Sequence, residues 1–145
     1  MKKQISVKEA NTLLQKYNIL VTKQDTVSAD EHIVYINNEP CFFYHEHQLY
    51  PTLKYLLKQP ILKTITVDMG AVRFVVNGAD IMRPGIVAID ANIQKDEAII
   101  IIDQNNKKPL AVGIALLSSE EMQKVSSGKV IKNIHYAGDE IWKNG

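Results

Sequence analysis

Gly70-Ala71-Val72-Arg73-Phe74-Val75-Val76-Asn77-Gly78-Ala79-Asp80-Ile81-Met82-Arg83-Pro84-Gly85-Ile86 places apolar runs between glycines and a proline. Val72, Phe74 and Val76 alternate with other residues, which predicts a strand with those three on its buried face. Gly78 then ends the strand at a point where a bulkier residue would block close backbone approach. Ala79 to Arg83 is long enough for one helical turn before Pro84 forbids its continuation, leaving N–H groups at the turn's start able to hold a phosphate. The plainer alternative is that the glycines and the proline only shape a tight connection.

Further blocks follow in order: Ala98-Ile99-Ile100-Ile101-Ile102-Asp103, Leu110-Ala111-Val112-Gly113-Ile114-Ala115, Gly128-Lys129-Val130, and His135-Tyr136-Ala137-Gly138-Asp139-Glu140-Ile141-Trp142. Together with residues 70–86 they resemble the PUA domain, named for pseudouridine synthases and archaeosine transglycosylases. The resemblance runs from about Thr66 to Trp142. The preceding segment, including Tyr50-Pro51-Thr52-Leu53-Lys54-Tyr55-Leu56-Leu57, is similar to the small domain ahead of PUA in the malignant T-cell-amplified-sequence family. That resemblance implies a translation factor. In proteins of this kind RNA lies across the short first helix, the strand leaving it and the last strand, which implies contacts at Asn77, Gly78, Ala79, Arg83, Pro84, Gly85, Lys129 and Lys132. The chain holds neither a transglycosylase barrel nor a pseudouridine synthase domain, so the resemblance implies RNA binding and no catalysis. Any part in initiation would then need a partner protein, with the N-terminal domain as the docking surface for it or for a ribosomal subunit.

A chain of 145 residues can bury roughly 68–70% of its unfolded surface, enough for one core or two small ones. Residues 1–65 carry eight basic and six acidic side chains (+2), and residues 66–145 carry nine and ten (−1), making the net +1. No global basic field is therefore available, and contact with RNA has to come from a local patch of modest affinity. The amino terminus Met1-Lys2-Lys3-Gln4-Ile5 leads into polar residues and not into a signal sequence, which predicts a cytoplasmic protein. No apolar run reaches the roughly 20 residues of a membrane helix. The single cysteine, Cys41, excludes an internal disulfide and suits a packing role in a reducing compartment.

Ser6 and Glu9 form an S-x-x-E start signal, and Ala10, Leu13, Leu14 and Tyr17 continue at helical spacing to about Asn18. Ile19 to Thr22 and His32 to Ile36 are expected strands, with Asn37-Asn38-Glu39-Pro40 turning into Cys41-Phe42-Phe43-Tyr44. Thr52 to Lys58 is expected as a second helix, ended before Pro60. Beyond residue 65 the expected strands are 67–76, 86–89, 98–102, 110–116 and 130–136, close enough for a small barrel. Ser118 and Glu121 mark a helix that Gly128 closes off. His135 and Trp142 are assigned to the closing strand and core, Phe74 to the core, and Lys107-Lys108 to a solvated hairpin tip.

Chemistry beyond binding finds little footing. Cys41, His45 and His47, with His32, lack the paired-ligand spacing of zinc sites, so a polar hairpin end and no metal is the expectation. Glu120-Glu121 fits charge at a helix start better than an acid–base pair. No nucleophile elbow, phosphate loop or dinucleotide fingerprint is present, so no cofactor and no catalytic residue are expected. The fold class is α+β, with a small α/β domain at 1–65 and a PUA-type mixed β pseudo-barrel at 66–145. The leading function is a tRNA- or ribosome-associated translation accessory factor that binds structured RNA. Two alternatives are the detached RNA-binding subunit of a transglycosylase-like tRNA-modifying enzyme, and a protein-interaction module without RNA binding.

Overall fold

The computed structural model describes residues 1–144, which divide into two compact units, 1–61 and 62–144. The expected boundary at 65/66 falls inside a strand of the second unit, β6 (Thr64–Val67).

In the first unit β1 (Lys3–Ile5) leads into α1 (Val7–Leu14), whose start is capped by Ser6 accepting the Glu9 N–H at 3.1 Å. A 3-10 turn continues to Tyr17, and Asn18 stops it in the left-handed region (φ 57°). Strands β2 (Val27–Ala29), β3 (Ile33–Ile36), β4 (Glu39–His45) and β5 (Gln48–Pro51) extend β1 into a five-stranded antiparallel meander, followed by α2 (Leu53–Lys58) with Thr52 as its cap. Ala10 and Leu14 of α1 pack with Val27, Val34, Phe42 and Leu49 of the sheet. The strand expected at Ile19 to Thr22 does not form. The Asn11 carboxamide supplies what a neighbouring strand would, donating to the Val21 carbonyl (3.1 Å) and accepting from its N–H (2.7 Å).

The second unit is a six-stranded mixed sheet in the order β7-β11-β10-β9-β6-β8. Its strands are β6, β7 (Ile81–Met82), β8 (Ile86–Ile89), β9 (Ala98–Asp103), β10 (Pro109–Ala115) and β11 (Lys129–Tyr136). β6 and β9 run parallel, and the other neighbours in the sheet are antiparallel. The two outermost strands, β7 and β8, are consecutive in the chain and joined by the 3-10 turn Arg83–Gly85, so the chain itself closes the sheet into a pseudo-barrel. Ile65, Ile99, Ile101, Ala111 and Ile131 fill its interior. The helix expected after Ser118 forms as α4 (Ser119–Lys124), with Ser118 and Glu121 bonding each other's backbone N–H groups. Trp142 lies on a terminal helix, α5 (Glu140–Asn144), and not on the closing strand.

The stretch 67–76 departs most from expectation. β6 ends at Val67, Asp68 accepts the Ala71 N–H (2.9 Å), and residues 72–75 form α3 (Val72–Val75). Burial explains the difference: Ala71, Val72, Val75 and Val76 all face the core, a 3.6-residue pattern that leaves Phe74 53% exposed. The helix thus precedes Gly78, whereas the glycine and proline spacing predicts a turn after it. Gly78 and Ala79 donate their N–H groups to the carbonyls of Val75 and Phe74 at 3.0 Å each, closing α3 with a left-handed glycine (φ 91°). Those two N–H groups are therefore satisfied within the turn.

Candidate nucleic-acid interface

The loop that closes the barrel also shapes a groove of about 530 Å³. Buried Val75 and Ile81 contribute to its lining, as do Ala79, Pro84 and Gly85, while Phe74 and Met82 (50% exposed) supply large apolar surface open to solvent. The Arg73 guanidinium carbon sits 4.8 Å from the centre of the Phe74 ring, a cation placed on an exposed aromatic face. Lys129 stands opposite Met82 in the β7–β11 register, and its ammonium lies 3.3 Å from the Asp80 carboxylate. Aromatic face, thioether and two cations on one rim can take a stacked base and its phosphate.

The eight residues implied by resemblance are not all alike. Ala79, Pro84 and Gly85 line the groove. Asn77 is exposed beside it and donates its side-chain amide to the Arg73 carbonyl at 2.6 Å. Gly78 lies against Tyr136, whose ring would be 2.9 Å from a β-carbon placed there. Arg83 turns inward, its Nε donating to the Met122 carbonyl at 2.7 Å and its terminal nitrogen to the Ile86 carbonyl at 3.3 Å. That side chain ties the closing loop to the end of α4. Lys129 flanks the groove, whereas Lys132 pairs in register with Ile114 of β10 and is not among the lining residues. Arg73, Phe74, Asp80 and Met82 are additions that the residue types alone did not single out. Placing Ala71, Val72, Val75 and Val76 inward at helical spacing would have turned Arg73 and Phe74 outward.

A polar tie holds this surface to the barrel. Asn133, in register with Gly113 beside the shift between Val112 and Gly113, donates its N–H to Asp80 at 2.9 Å, while its side-chain amide donates to the Val75 and Ala79 carbonyls at 3.0 Å each. Farther along β11, buried His135 meets Asp139 at 2.8 Å, and Asp139 also accepts the N–H groups of Tyr136 and Trp142, capping α5. Burial acts to raise the Asp139 pKa, but the hydrogen bonds from His135 and the two N–H groups outweigh it and hold it below the usual carboxylate range. Because the folded pKa lies below the unfolded one, this group's stabilisation is complete above about pH 4 and is lost as pH falls through the folded value. Asp139→Ala is expected to cost about 0.5–2 kcal/mol at pH 7, with the difference from the parent shrinking below about pH 4 in urea titrations. A constant difference down to pH 2 would count against the assignment.

Elsewhere, Cys41 is buried with its Sγ on the Glu39 carbonyl, and burial pushes its thiol pKa up. His45 ends β4 and His47 occupies the following turn (φ 67°). Among the described residues no three His, Cys, Asp or Glu side chains converge as metal ligands. Glu121 caps α4, and the Ser118 hydrogen bonds hold its pKa down. Among the described residues no helix is long and apolar enough to cross a membrane.

Comparison with known proteins matches residues 63–137 to the PUA domain and residues 2–59 to a domain of unknown function, DUF1947. An uncharacterized protein of Methanocaldococcus jannaschii is 41% identical over 140 residues, covering 93% of this chain and 86% of that one. Malignant T-cell-amplified sequence 1 of Rattus norvegicus is 36% identical over 91% of this chain and 82% of its own length. Translation machinery-associated protein 20 of Schizosaccharomyces pombe is 36% identical over 74% of this chain and 63% of its own. The structure of a conserved PUA domain protein from Thermoplasma acidophilum superposes with a TM-score of 0.80 at 30% identity, over 99% of both chains. Sequence, two-unit architecture and barrel topology agree: the chain belongs to the PUA-domain family that includes the Malignant T-cell-amplified sequence 1 proteins.

Proposed function

We propose that this protein binds structured RNA through the groove between α3 and the loop 79–85, and acts as a tRNA- or ribosome-associated accessory factor in translation without catalysing a reaction. The observation that carries the reading is the exposed Phe74 ring, backed by Arg73 and set beside Met82 and Lys129 on one rim. An aromatic ring of this size left half in water costs stability that burial would otherwise supply, and a base stacked on it covers that surface again. The name Translation machinery-associated protein 20 supports the translation assignment, which would place the protein in the cytoplasm. Ala79, Pro84 and Gly85 would shape the groove, Asn77 and Lys129 would meet the strand passing over it, and Gly78 and Arg83 would hold the loop in shape. The first unit would dock the ribosomal subunit or partner protein.

Binding of unfractionated tRNA and ribosomal RNA fragments at low salt tests this directly. Lys129→Ala should weaken all of them about equally and reduce the slope of log affinity against log salt by about 0.7–0.9 for each phosphate it no longer neutralises. If the parent binds no RNA, the proposal fails. Sedimentation with ribosomal subunits supports the translation role, whereas stoichiometric recovery of a transglycosylase-like chain would favour the tRNA-modification pathway instead.

A further inference from the structure

Two carboxylates, Asp68 and Asp80, line a groove whose rim otherwise suits a polyanion. Asp68 has a local task, accepting the Ala71 N–H at the start of α3. Asp80 reaches farther. One of its oxygens accepts the Asn133 N–H at 2.9 Å and the other sits 3.3 Å from the Lys129 ammonium. The Asp80 side chain is 34% exposed and that of Lys129 52%, so the pair is screened by water and opens at small cost. While it is closed, an approaching phosphate meets a carboxylate of its own sign and a lysine already engaged.

We infer that Asp80 limits the RNA affinity of this surface: it holds Lys129 in an intramolecular ion pair and keeps a negative charge in the groove, so that a phosphate strand gains the lysine only by displacing it. The inference rests on the RNA-binding reading of the groove. It has a functional consequence, because a lysine that must first leave a carboxylate adds less to non-specific binding than a free one and leaves a larger share of discrimination to contacts such as stacking on Phe74.

Asp80→Asn is the test, since an amide oxygen can still accept the Asn133 N–H while the charge is gone. Fluorescence anisotropy with unfractionated tRNA and with a short single-stranded RNA of mixed sequence, between about 50 and 200 mM salt, measures affinity and salt slope. Binding is expected to tighten about two- to fivefold, the span of an exposed ion pair, with the slope on single strands unchanged because Lys129 meets a phosphate in both proteins. The gain should be smaller in the Lys129→Ala background, where only the repulsion between the Asp80 carboxylate and the strand is left to relieve. Asp80→Ser, neutral and shorter, should change affinity in the same direction and guards against a folding defect peculiar to asparagine. Unchanged or weaker binding in both neutral variants, with the parent binding RNA, overturns the inference and leaves the RNA-binding reading standing. Failure of the parent to bind either RNA overturns both.

Discussion

Arg83→Ala is expected to lower the stability of the second unit by about 1.5–3 kcal/mol, the range for hydrogen bonds made by a charged group. The guanidinium bridges the carbonyls of Met122 and Ile86, and the Arg83 N–H donates to the Gly128 carbonyl at 2.8 Å. Losing the side chain therefore loosens the turn that joins β7 to β8 from the end of α4. Arg83→Lys should recover little, because one ammonium cannot reproduce the planar fork that reaches two carbonyls. Urea unfolding followed through Trp142, the single tryptophan, reports on this unit. A loss below about 0.5 kcal/mol together with a loss of RNA affinity would mean that Arg83 faces the ligand after all.

Phe74→Ala should do the reverse. With the ring more than half exposed, stability should change by no more than about 0.5 kcal/mol. Affinity for RNA should fall by about 1–3 kcal/mol, or about 5- to 150-fold, if one base stacks on the ring. Phe74→Trp, which keeps a stacking face, should retain most of the affinity. A stability loss of about 3–5 kcal/mol would identify a core phenylalanine, the role its alternating neighbours Val72 and Val76 suggest.

The contrast between these residues shows where sequence patterning is informative. The barrel strands from residue 86 onward are legible because Gly, Pro, Asp and Asn punctuate long apolar runs such as 98–102, and the capped starts at Ser6 and Ser118 because each cap is followed three positions on by a glutamate. Residues 70–78 are not, because in so short a window Val72, Phe74 and Val76 satisfy period two while Ala71, Val72, Val75 and Val76 satisfy period 3.6. Tertiary burial decides between them. A two-residue strand such as β7 has no period at all. Arg83 illustrates a further limit: its main partner, the Met122 carbonyl, lies 39 residues away, and a backbone oxygen leaves no signature in residue types. Family resemblance points to the loop as a whole and does not distinguish the side chains that build it from those that face out of it.

If RNA meets the protein at the α3 groove, an amide-shift titration of the isotopically labelled full chain with a short single-stranded RNA will show where it lands. The expected footprint covers 68–85 and extends to Lys129 on β11, with the Lys107-Lys108 turn unaffected. Shifts confined to residues 1–61 or to that turn, with the groove amides unmoved, would contradict the assignment of RNA to this groove.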